Sequence, residues 1–157
     1  MKKVAFFMVA VLFANAISPA LLGGIPSNKA VYRGGTLSAV VPENTEGAVT
    51  TTDEHNFIFE SRGARFLIPY DRVNFLEFGQ KAGRRLGLAI AISPVLLLSK
   101  KRRHFLTINF LDEENRQQAM VLELGKSIVR STLASLEART GKRIENQDDE
   151  ARKMGRN

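Results

Sequence analysis

Residues 104–141 read HFLTINFLDEENRQQAMVLELGKSIVRSTLASLEARTG, and their alternation decides the fold. Leu106, Ile108 and Phe110 recur at every second position, so a strand sets them on one face. Met120, Leu122 and Leu124 repeat the pattern after the polar turn Asp112-Glu113-Glu114-Asn115. This predicts strands over residues 104–111 and 117–124. Val129, Leu133 and Leu136 then fall on one stripe of a helix expected over residues 126–140, with Gly141 at the stop position. Two strands and a helix need more sheet for the helix to cover.

The upstream chain offers that sheet. Residues 30–36 hold Val31 and Tyr32 before Gly34-Gly35, a short first strand, and residues 37–45 form a loop with Pro42 and Asn44. Thr- and Val-rich residues 48–52 suit a half-exposed strand. Residues 53–56 are a turn, and Phe57 and Phe59 alternate in the strand 57–60. Arg62-Gly63 marks a hairpin, residues 65–70 are the next strand, and Pro69 belongs at its end or on an edge. In residues 73–78 the alternation sets Val73 and Phe75 on one face and Asn74, Leu76 and Phe78 on the other.

Residues 86–98 are thirteen positions without a charge, divided by Pro94. As a helix they would span about 20 Å, short of the roughly 30 Å of bilayer hydrocarbon. A buried core strand is the expected reading, beside a buried half-helix or a segment that dips into a membrane surface. Both flanks are basic: Lys81, Arg84 and Arg85 precede the run, and Lys100, Lys101, Arg102 and Arg103 follow it.

Residues 1–16 have the form of a secretory signal peptide. Lys2 and Lys3 precede an apolar run, and Ala14-Asn15-Ala16 fits the small-x-small cleavage pattern. The alternative is an uncleaved anchor reaching residue 22. Both place the domain across the cytoplasmic membrane, periplasmic or secreted. Residues 17–29 are a linker, residues 30–141 the folded domain, and residues 142–157 a polar tail expected to be disordered.

The chain has 157 residues and no cysteine, so disulfides, thiolate metal sites and cysteine catalysis are excluded. Its net charge of +7 stays basic when Lys2 and Lys3 are removed. Such a balance favours acidic partners.

Six to seven hairpin-joined strands closed by one amphipathic helix make a mainly β domain, a curved antiparallel sheet or partly open barrel capped at its C-terminal end. The order resembles the pleckstrin-homology-like superfold, including its GRAM-like and bacterial variants. The resemblance is carried by Glu46-Gly47 opening a strand, Ile68-Pro69-Tyr70 closing another, the two last strands and the final helix, and it spans residues 30–141. It implies a domain that binds lipids, peptides or other domains. The superfold's phosphoinositide site uses clustered Lys and Arg in the loop of the first hairpin; here residues 38–45 and 53–56 contain neither.

The candidate site is therefore the pair of basic clusters Lys81, Arg84, Arg85, Lys100, Lys101, Arg102 and Arg103, taken as a surface for anionic phospholipid or an acidic protein partner. Each surface cation adds about 1 kcal/mol near an anionic bilayer. Nucleic acid is disfavoured, because export removes it and no aromatic alternates with the cations within the cluster. Asp53-Glu54-His55 is too compact for a metal site, and Glu113-Glu114 sits in an exposed turn where nothing raises a carboxyl pKa for acid catalysis. No phosphate-binding glycine loop or hydrolase motif is present. The expectation is an exported, non-enzymatic interaction module with no cofactor, metal or catalytic residue. Two alternatives stay open: an enzyme whose site is assembled only in three dimensions, and a self-associating envelope protein.

Overall fold

A computed structural model describes residues 28–80, 103–147 and 152–153. The expected signal peptide, the run 86–98 and half of the C-terminal tail lie outside the described residues.

Among the described residues, eight strands form one sheet: β1 Lys29–Gly35, β2 Thr45–Thr50, β3 Asn56–Ser61, β4 Ala64–Pro69, β5 Val73–Gly79, β6 Phe105–Leu111, β7 Gln117–Leu124 and β8 Ile144–Asn146. Helix α1, Val129–Thr140, precedes β8, and a 3-10 turn, Tyr70–Arg72, joins β4 to β5. The spatial order is β4-β3-β2-β1-β7-β6-β5-β8, an open sheet whose pairs are antiparallel except for parallel β5 and β8. The two strands predicted from residues 104–124 form as a hairpin, with Leu106 opposite Leu122 and Ile108 opposite Met120.

One face of the sheet carries the core. Tyr32, Phe57, Phe59, Leu76, Phe78, Leu106, Ile108, Met120 and Leu122 are all fully buried there. The apolar stripe of α1 completes it, with Leu136 fully buried and Val129 and Leu133 nearly so. Burying a large apolar side chain is worth about 1.5–3 kcal/mol, so this stripe seats the helix. Arg139 lies over the Tyr70 ring at 5.5 Å and ties α1 to the 3-10 turn. Gly141, at φ +66°, ends the helix in the left-handed conformation, and its N–H donates to Glu137 O.

Three details differ from the sequence expectation. The described residues alone hold eight strands rather than six to seven, because Ile144–Asn146, in the tail expected to be disordered, pairs with β5. Ile144 is a lone buried apolar anchor in a polar stretch, and its N–H donates to Glu137 Oε1 at 2.9 Å; neither contact leaves a periodic trace in sequence. The helix starts at Val129, not at residue 126, since Gly125–Ile128 closes a turn through Ile128 N–H to Gly125 O. In β5 a bulge between Val73 and Phe75 breaks the alternation. Val73 thereby joins Leu76 and Phe78 in the core, apart from Phe75.

A second bulge shapes β1. Its register against β7 shifts between Tyr32 and Gly34. Gly35 holds φ +135°, and a Cβ there would lie 2.2 Å from Ala119 O, so only glycine lets β1 approach β7 so closely.

A candidate anionic-surface site

Of the expected basic residues, Lys81, Arg84, Arg85, Lys100, Lys101 and Arg102 lie outside the described residues. Arg103 is described, and it is not a free cation. Its Nη1 donates to Glu123 Oε2 at 2.7 Å. The same oxygen accepts Arg33 Nε at 2.7 Å, and Arg33 Nη2 also lies 2.7 Å from it. Arg33 further donates to Asn44 Oδ1. The β1 bulge makes this convergence, because Arg33 is the residue skipped in the register between Tyr32 opposite Leu122 and Gly34 opposite Val121. Two guanidinium groups thus share one carboxylate, so these three side chains together carry one net positive charge, and they are only 14–26% exposed.

Backbone pairing brings other cations to this end of the sheet. Leu124 N–H donates to His104 O at 2.8 Å, and Gly125 N–H donates to Lys29 O at 3.1 Å. Lys29, Arg103 and the start of the turn into α1 are therefore neighbours. Beyond Gly125, exposed Lys126 and Arg130 line a shallow cleft with Ser127 and Ser131. A second cleft of about 210 Å³ runs between β1 and β7, with Lys29, Glu46, Glu123 and Gly125 in its wall.

His104 sits inside this collar of charge. Its ring stacks on Phe78 at 6.3 Å between centroids. Burial, and then the charge of Lys126, hold its pKa below the ordinary histidine value, against an opposite pull from Glu123. Its Nδ1 is buried and finds no hydrogen-bond partner among the described residues.

The other acidic candidates have structural work. Asp53 Oδ1 accepts the N–H groups of His55 and Asn56 at 3.0 and 2.7 Å, which closes the turn before β3 and holds the Asp53 carboxyl below its usual range. Asp112 organises the β6–β7 turn, accepting from the backbone N–H groups of Glu114 and Arg116 and from the Arg116 guanidinium. Glu114 pairs with Arg116 at 2.9 Å, and Glu113 is exposed. Among the described residues no group of three His, Asp or Glu side chains is placed to hold a metal ion. A separate basic cleft lies between α1 and β8, lined by Glu137, Lys142, Arg143 and Arg152 among others.

Sequence reasoning named Arg103 but missed Lys29, Arg33, Lys126 and Arg130. Each is a lone cation in a mixed segment, and only strand register makes them neighbours. No protein-family model matches the chain, and no curated protein proves similar to it.

Proposed function

We propose that the chain is an exported, non-enzymatic interaction module of pleckstrin-homology-like type, which binds an anionic membrane surface through one end of its sheet. An open, mainly β sheet with its C-terminal helix seated on the core is in keeping with that superfold. The observation that carries the binding proposal is the shared use of Glu123 by Arg33 and Arg103. Two cations against one acid leave positive charge where Lys29, Lys126 and Arg130 also lie. Lys81, Arg84, Arg85, Lys100, Lys101 and Arg102 belong in sequence to the connection between β5 and β6, whose flanking residues Gly79 and Phe105 are paired at this end of the sheet. Half-buried positive charge in a low-dielectric rim projects further than fully solvated charge.

Sedimentation with vesicles tests this. The full chain pellets with vesicles containing phosphatidylglycerol at low salt, is released as salt rises, and stays in the supernatant with phosphatidylcholine alone. The double change Lys126→Glu and Arg130→Glu abolishes pelleting, whereas Lys142→Glu with Arg143→Glu, in the other basic cleft, leaves it in place. Absence of pelleting at low salt overturns the membrane reading and leaves an acidic protein as the partner to seek.

A further inference from the structure

The cleft between α1 and β8 stands apart from the end of the sheet that carries Lys126. It lies at the C-terminal end of α1, and the twelve residues of that helix, about 18 Å at 1.5 Å each, separate the two. Its volume is about 700 Å³, within the roughly 300–1,000 Å³ of ordinary ligand pockets. Lys142, Arg143 and Arg152 stand in its wall, with Glu137 as the one acid among the described wall residues. The Glu137 carboxylate is already engaged, because its Oε1 accepts Ile144 N–H at 2.9 Å. Leu133, Ala134 and Ile144 add an apolar strip to the same wall.

β8 supplies a second feature. It is the last strand of the sheet, paired with β5 on one side and with no strand on the other among the described residues. Gln147 N–H donates to Phe78 O, toward β5, whereas Ile144 N–H donates away from β5, to Glu137. Backbone groups alternate in direction along a strand. Those of Asn146 therefore point the way Ile144 does, and Asn146 also lines the cleft. An edge of this kind is a template for an added strand.

We propose that this cleft binds an extended acidic peptide segment of a partner protein, laid along β8 with its carboxylates against Lys142, Arg143 and Arg152. Separate cations suit separate carboxylates, and the arginines can each grip one in bidentate fashion. A compact phosphate fits less well, because the C-terminal end of a helix is the negative end of its dipole and Glu137 adds an acid there. The apolar strip takes the side chains that alternate with the acids. This inference goes beyond the membrane reading and does not depend on it, since none of its residues belongs to that end of the molecule.

Fluorescence anisotropy with the full chain and a labelled peptide of alternating glutamate and valine tests it. The peptide binds at low salt. Lys142→Glu with Arg143→Glu weakens binding by about tenfold or more, whereas Lys126→Glu with Arg130→Glu leaves it unchanged. N-methylation of alternate peptide nitrogens also weakens binding in one of its two registers, as an added strand requires. No binding, or equal losses in the two double variants, overturns the proposal. Inorganic triphosphate that displaces the peptide at equimolar concentration overturns it in favour of a simple anion site. Indifference to N-methylation in both registers overturns the strand addition. In vesicle sedimentation the peptide does not alter the pelleted fraction of the chain; release from phosphatidylglycerol vesicles by the peptide overturns the assignment to this cleft.

Discussion

Arg33 of β1 and Arg103, two residues before β6, each bring a nitrogen to 2.7 Å from a single oxygen of Glu123 on β7. Removing that acceptor separates stability from binding. Glu123→Gln leaves two half-buried guanidinium groups facing a neutral amide, at a cost of about 1–3 kcal/mol. The same change raises the positive charge of this end. Urea denaturation should show the loss, while vesicle sedimentation at low salt shows tighter binding. Parallel losses in both would place the triad in the fold and not in the binding surface.

Gly35 and Gly63 both hold positive φ, at +135° and +99°, but only Gly35 is crowded. Gly35→Ala drives a Cβ into Ala119 O and is expected to cost about 3 kcal/mol or more, or to prevent folding, through strain and the loss of β1–β7 pairing. Gly63→Ala meets nothing within 4 Å and carries only the backbone penalty, about 1 kcal/mol. Thermal melts of the two variants rank them.

Leu136 is fully buried beneath the sheet, and Ala134 one turn-face away is exposed. Leu136→Ala should cost about 2–5 kcal/mol by opening a cavity. Ala134→Ser on the outer side should stay within about 0.5 kcal/mol. Chemical denaturation of both reads whether the helix is held by its apolar stripe.

His104 makes stability depend on pH. Its folded pKa is depressed by burial and by Lys126, so the unfolded chain takes up the proton more readily. The stability it contributes is complete above the unfolded value of about 6.5 and is lost as pH falls through the lower folded value. The urea midpoint should therefore drop as pH falls below about 6.5. His104→Phe, which keeps a ring against Phe78, should flatten that drop. Asp53 and Asp112, with carboxyl pKa values held below the ordinary range, act in more acid solution and do not obscure the window.

The period-two and helical repeats in residues 104–141 are local properties, and they determined the β6–β7 hairpin, the identity of the stripe on α1 and its glycine stop. Turn residues such as Arg62-Gly63 likewise marked the hairpin between β3 and β4. Local pattern also placed the boundaries of most strands to within a few residues. It misplaced Val73 and Phe75, because a bulge inserts one residue and reverses which face follows. It overlooked β8, because one apolar residue carries no period.

What only the tertiary structure decided is which distant residues meet. Arg33 reaches Glu123 because β1 pairs with β7 across a bulge, and Lys29 adjoins Gly125 because those strands end together. Strand order and register are set by the sum of contacts over the whole sheet, so no segment contains them. The burial of Thr107 and Val121, on the face of the sheet opposite the core, has the same origin. A strand's sequence can show that both its sides are apolar, but what lies against each side belongs to the rest of the chain.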